Sequence, residues 1–225
     1  MIRVERVNKT FELGDQTVHA LRDIHLTIER GEYLSVMGPS GSGKSTLLNL
    51  LGLLDRPDNG KYFLNDVETV ALPEEARARL RGAHVGFIFQ SFHLVPRLTA
   101  RENIELPLVL AGVAPAERKQ RVDETLQQLG LSDRANNAAA QLSGGQRQRV
   151  AIGRAIVMKP DLLLADEPTG NLDSKSGRDV MELLESLHEQ GITLLVVTHD
   201  LALGDRAHRK IGMVDGSIVS DVRRP

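Results

Sequence analysis

Three features of this 225-residue chain predict an α/β fold with a parallel sheet, an antiparallel β region near the N-terminus and a helical insertion. The runs "YLSVMG", "DLLLAD" and "TLLVVTH" are apolar without alternation, as parallel strands covered on both faces are. The first thirty residues alternate in part, as half-exposed antiparallel strands do. Between about 91 and 157 the pattern is helical and carries helix start and stop signals.

In order, "IRVERV" (2–7) and "VHALRDIHLTI" (18–28) are strands closed by the turn "ERGE". A Gly-rich loop follows "YLSVMG" and opens a Leu-rich helix over about 44–54, which "RPDNG" stops before the strand "KYFLND". Pro73 suits the first position of a helix through "EEARARLRG". Thr99 and Glu102 have capping-box spacing, and Pro115 opens a helix with Gly130 at its C-terminal end. After "DLLLAD" (161–166) a helix runs to about 190 with Gly191 behind it, then the strand 193–199. Asp215-Gly216 between two strand-like runs is a hairpin signal. The pattern reads as one domain, 1–225, with a core and β subdomain over about 1–90 and 158–225 and a helical subdomain over 91–157.

A hydrophobic share of 41% and a charged share of 26% are those of a soluble globular protein. A formal net charge of −2 argues against a nucleic-acid partner, which calls for a basic excess. There is no cysteine, so no disulfide framework or thiolate metal site exists, which suits a reducing compartment. The charged start "MIRVERVNKTF" does not resemble a signal peptide, and the run "LLNLLGLL" falls far short of the ~20 residues of a spanning helix. Work at a membrane would need a partner to hold the chain there.

"GPSGSGKST" matches the phosphate-loop pattern G-x-x-x-x-G-K-[ST] and lies between a predicted strand and helix, the context that supports it. Its residues are Gly38, Pro39, Ser40, Gly41, Ser42, Gly43, Lys44, Ser45 and Thr46. Glycines let backbone N–H groups curl around phosphate oxygens, and a helix N-terminus adds positive potential. Lys44 can reach the β- and γ-phosphates of ATP, and the Ser45 hydroxyl can ligate Mg²⁺. A plain Gly/Ser turn would need neither the lysine nor the flanking elements.

A Mg²⁺ beside such a loop wants a carboxylate at the end of a neighbouring strand. Asp166 stands there, and Glu167 is the natural general base for water at the γ-phosphate. The alternative is that this acidic pair only ends a strand and caps the next element. His199 ends the next apolar run and can hydrogen-bond the γ-phosphate, or be an ordinary surface histidine. Gln90 follows "VGFIF" in the same way, where its amide can contact the metal or the water.

"QLSGGQRQRV" raises a separate problem. Ser143 and Gln146 have capping-box spacing, yet Gly144 and Gly145 between them each cost about 1 kcal/mol relative to Ala in a helix. Either the turn needs unusual backbone angles or something approaches the backbone closely. A second anion site would supply that approach.

Together the loop at 38–45, Gln90, "LSGGQ" at 142–146, "LLLADE" at 162–167, "GNLDS" at 170–174 and His199 resemble an ATP-binding cassette (ABC) ATPase over essentially the whole length. The resemblance implies a P-loop NTPase (RecA-like) core whose helical insertion carries LSGGQ. It implies head-to-tail pairing of two copies, the Ser143–Gln146 motif of one closing on ATP held by the other, with Asp173 at the seam. Phe11 lies where the family stacks an aromatic on adenine; a core role for it stays open.

"DEPTGNLDS" and "FIFQSFHLVPRLTARENIELPL" further resemble the bacterial lipoprotein-releasing and macrolide-exporter cassettes. That implies an ATPase on the cytoplasmic face of the inner membrane, driving a separate permease that exports or extracts a lipoprotein, peptide or drug. The segment "SFHLVPRL" after Gln90 either receives a permease helix or packs as core. The remaining alternatives are an ATP-gated scaffold that signals through a membrane partner and a soluble ABC ATPase without transport. A small-molecule kinase would leave LSGGQ without purpose.

Overall fold

The computed structural model describes residues 1–224; Pro225, the last residue of the predicted domain, lies outside the described residues. The chain opens with β1 (Ile2–Leu13), β2 (Gln16–Ile28), β3 (Tyr33–Met37), α1 (Lys44–Leu51), β4 (Asn59–Leu64) and β5 (Val67–Glu68). Next come α2 (Glu74–His84), β6 (Val85–Phe89), α3 (Ala100–Leu110), α4 (Pro115–Gln128), α5 (Gly144–Ile156) and β7 (Leu162–Asp166). It closes with α6 (Ser174–Glu189), β8 (Thr193–Val197), α7 (Leu201–Gly204), β9 (Arg209–Val214) and β10 (Ser217–Arg223). Two compact units result: Met1–Arg81 with the described segment from Thr193 onward, and Gly82–Ile192.

In the first unit an antiparallel sheet runs β2-β1-β4-β5. Leu21, Ile24, Leu26 and Ile28 of β2 are buried, which sets its register against Ile2 and Val4 of β1. β1 extends beyond "IRVERV" to Leu13, because the polar stretch after Val7 pairs with the start of β2 across the two-residue Gly14-Asp15 turn. A second ladder joins β3 in parallel to both β8 and β9, with β10 antiparallel on β9. Leu34, Val36 and all five residues of β8 are buried, as unbroken apolar runs require. Each such Leu or Val side chain contributes roughly 1.5–3 kcal/mol. Asp215 and Gly216, at φ 47° and 80°, form the two-residue turn between β9 and β10. Arg209, buried on β9, bonds Asp221 of β10, Glu32 and the Thr27 carbonyl. α1 stops at Leu51, short of residue 54: Leu53 turns to φ 59° yet stays buried, so the apolar run serves the core without being helical.

In the second unit β6 and β7 pair in parallel, from Val85 opposite Leu162 to Phe89 opposite Asp166. The capping box at Thr99 and Glu102 is present, Pro115 opens α4, and Gly130 (φ 64°) and Gly191 (φ 98°) follow α4 and α6. α3 and α5 approach closely at Gly153, where a Cβ would lie 2.9 Å from Ile104 Cδ1. Asn103, fully buried on α3, donates to the carbonyls of Val95, Leu98 and Thr99 and accepts from Val95 N, so it holds the loop before α3.

Candidate active site

In the first unit β3 runs straight into the loop 38–46. α1 has no side-chain cap: Gly43 stands in its place at φ 95°, with Gly41 at φ 79°. An uncapped helix start keeps its N–H groups for an anion. The loop is held from behind. A Cβ on Gly38 would lie 2.1 Å from the Met213 carbonyl, and one on Gly43 2.3 Å from that of Ala20. Gly216 N donates to Ser42 O at 3.2 Å, so the β9–β10 turn buttresses the loop.

Lys44 arches back, its Nζ donating to Gly38 O at 2.9 Å and Pro39 O at 2.8 Å. Ser42 Oγ is buried without a hydrogen-bond partner among the described residues, a polar atom that a phosphate oxygen would satisfy. Pro39, Ser40 and Ser45 are exposed and Thr46 is half-buried. β8 lies in register with β3 (Val36 opposite Val197), so His199 leaves the same edge as Gly38. His199 and Gly38 share a concavity of about 340 Å³.

The second unit repeats this geometry with other chemistry. Phe89 pairs with Asp166, so Gln90 and Glu167 leave adjacent strands at one edge. Asn171 Nδ2 donates to Gln90 O at 3.1 Å, and Gln90 Nε2 to Asn171 Oδ1 at 3.4 Å, tying Gln90 to the "GNLDS" segment. Glu167 sits at φ 48°, a left-handed conformation that costs a non-glycine residue about 1–2 kcal/mol. Asp166 and Glu167 are not a helix cap: α6 is capped by Asp173. The carboxylate of Asp166, the amide of Gln90 and the hydroxyl of Ser45 are hard oxygen donors of the kind Mg²⁺ takes. Among the described residues no cluster of three or more His, Cys, Asp or Glu forms a metal cage.

At α5 the box is complete: Gln146 N donates to Ser143 Oγ at 3.3 Å, and Ser143 N to Gln146 Oε1 at 3.0 Å. Neither Gly144 nor Gly145 has a positive φ, so unusual angles are not their purpose. Close approach is. A Cβ on Gly144 would lie 3.3 Å from Leu172 Cδ2, and one on Gly145 3.1 Å from Ser176 Cβ. Within the chain the glycines thus admit Leu172, before α6, and Ser176 in its first turn. The capped Ser143 hydroxyl still has its O–H to donate and Gln146 its amide N–H groups. Both face a concavity of about 230 Å³ shared with Arg149, Ser176 and Asp179. Asp173 accepts from Ser176 Oγ at 2.7 Å and from the N–H groups of Ser176 and Lys175; the Ser176 hydroxyl bond first, then its backbone N–H, holds its carboxyl below the usual range.

The family profile described as ABC transporter matches residues 21–170. The chain belongs to the ABC transporter family. The cassette is 46% identical over 223 residues to YvrO of Bacillus subtilis, an uncharacterized ABC transporter ATP-binding protein, covering 99% of this chain and 97% of that one. It is 47% identical over 218 residues to the macrolide export ATP-binding/permease protein MacB of Bartonella quintana, covering 97% of this chain and 33% of MacB. It therefore spans about a third of the MacB relatives it matches. Two solved dimers of the cassette MJ0796, one of them with ADP and Pi, superpose with TM-score 0.92 at 43% and 42% identity, over 100% of this chain and 99% of theirs. The fold is the predicted P-loop NTPase fold, and the cassette is an ATPase.

Phe11 of the cassette is 38% exposed on β1, with the Lys9 ammonium 5.2 Å from its ring centroid and Lys9 anchored to Asp55 at 2.8 Å. It is therefore not a core residue. "SFHLVPRL" is not packed core either: Phe92 and Leu94 are half-buried and Val95 is 38% exposed. Sequence reasoning passed over Asn103, Gln148 and Arg154. For Gln148 a signal exists: it precedes Ile152 by four residues and Ala155 by seven, so it lies on the apolar stripe of α5.

Proposed function

We propose that the cassette powers a separate membrane permease of the kind joined to the ATP-binding part in the macrolide exporters, through ATP-driven head-to-tail pairing of two copies on the cytoplasmic face. One observation carries this reading: a single chain holds two helix starts that can meet phosphate, at α1 and α5, but only one set of the residues read as metal ligands and base. Two copies related by a two-fold axis would complete two sites. The dimers of MJ0796 support the pairing, and the MacB relatives support the permease.

In this reading Phe11 stacks on adenine, and Lys44 with the loop N–H groups binds the β- and γ-phosphates. Ser45, Asp166 and Gln90 would hold Mg²⁺, which would supply charge neutralisation at the phosphate oxygens. Glu167 takes the proton of the attacking water, and His199 donates a hydrogen bond to the γ-phosphate. The second copy brings the Ser143 hydroxyl and the N-terminus of α5, with Asp173 beside the seam. The permease docks on the segment after Gln90, where Val95 is exposed.

The test is affinity capture from native membranes with Glu167→Gln protein in Mg-ATP. Recovery of a four-helix permease with a large extracytoplasmic domain, lost on Val95→Asp, is the expected result. Ribosomal proteins or DNA-repair factors in its place would overturn the transport reading.

A further inference from the structure

α5 begins at the Ser143–Gln146 motif, and two of its side chains hold carbonyls in strained turns. Gln148 is fully buried and donates from Nε2 to Pro168 O at 2.7 Å, while its Oε1 has no partner among the described residues. An amide buried with half its capacity unmet is costly, so the half that is met has a use. Pro168 comes directly after Glu167, the residue at φ 48°. Further along α5, Arg154 donates from Nη2 to Phe92 O at 2.9 Å and from Nη1 to His93 O at 2.5 Å. Those residues stand at φ 60° and 47°, in the segment after Gln90. Burial lowers the Arg154 pKa, and such a desolvated guanidinium depends on its carbonyl partners. The Arg147 guanidinium, 5.1 Å from the Phe92 ring centroid, adds a third contact from the same helix.

Left-handed turns at non-glycine residues persist where their surroundings over-determine them, and here α5 supplies that restraint for both. We propose that Gln148 and Arg154 are positioning residues: through them the helix that starts at the signature motif holds the turn carrying Glu167 and the turn after Gln90. Engagement of Ser143–Gln146 at one end of α5 is thereby felt at the base and at the segment beside the permease. The inference rests on the reading of Glu167 as general base.

Single-turnover hydrolysis of γ-labelled ATP, with nucleotide affinity and thermal melting alongside, tests it. Gln148→Met and Arg154→Met each lower the hydrolysis rate about tenfold or more, the size of one lost hydrogen bond to a functional group. ATP affinity stays within about twofold, because neither side chain belongs to the phosphate loop. Arg154→Lys, which keeps a donor, recovers part of the rate. In a Glu167→Gln background Gln148→Met costs nothing further, since it acts through a group already removed.

A folded Gln148→Met protein with the parental rate overturns the proposal, as does one that loses the same factor with and without Glu167. If Gln148→Met does not fold, equal rates for Arg154→Met and the parent overturn it. Full hydrolysis by Glu167→Gln alone would instead overturn the assignment of the base, seen with α5 untouched.

Discussion

At the residue scale the loop 38–46 separates shape from charge. Its shape comes from Gly38 and Gly43, pressed against carbonyls, and from the bond to Gly216; its charge comes from Lys44. Lys44→Ala also removes its bonds to the Gly38 and Pro39 carbonyls, but its main effect is on charge: it lowers ATP affinity at least about tenfold by titration calorimetry, the loss of one charge-assisted contact. Gly43→Ala acts on the shape. Its Cβ would sit 2.3 Å from backbone at φ 95°, and urea unfolding should show a loss of roughly 2–4 kcal/mol. Gly41→Ala, at φ 79° with nothing within 4 Å, isolates the conformational part and costs about 1 kcal/mol. The loop between β3 and α1 was legible because Gly38, Gly43, Lys44 and Ser45 stand at the fixed places of a spaced pattern. Gln148 could be placed on the buried stripe of α5 but its partner could not, and Arg154 could not be singled out, because a guanidinium that holds a distant carbonyl obeys no local pattern.

At the element scale helix starts are self-contained, which makes them testable one by one. Thr99→Ala removes the α3 box and costs about 1 kcal/mol in denaturant unfolding, with hydrolysis unchanged. Ser143→Ala costs about the same stability but also lowers hydrolysis, since the hydroxyl that caps α5 is the one proposed to meet phosphate. The β9–β10 hairpin responds to pH. The Arg209 hydrogen bond first, and its charge, hold the Asp221 carboxyl below its ordinary value near about 3.9. A depressed folded pKa gives stability that is complete above that ordinary value and is lost as pH falls through the lower folded value. Melting temperature should therefore fall more steeply below about pH 4 in the parent than in Asp221→Asn. Caps and the Asp215-Gly216 turn were readable because their signals span four residues or fewer. The far end of β1 and the early stop of α1 were not: a polar strand has no hydrophobic period, and Leu53 is buried whether or not it is helical.

At the scale of the whole molecule the prediction is an ATP-dependent dimer. Glu167→Gln protein at saturating Mg-ATP should double its mass in light scattering and return to monomer on removal of nucleotide. A monomer throughout would count against head-to-tail pairing. Membership of the ABC transporter family, the α/β class and ATP as nucleotide were determined by the sequence alone, because each rests on short patterns in which chemistry restricts residue identity. Tertiary structure alone decided why Gly144 and Gly145 are glycines within one chain, that Phe11 and Val95 stand exposed, and that α5 grips the turns after Glu167 and Gln90. Those facts depend on contacts between residues far apart in the chain, and distances across a fold are fixed by packing, which no local stretch of sequence carries.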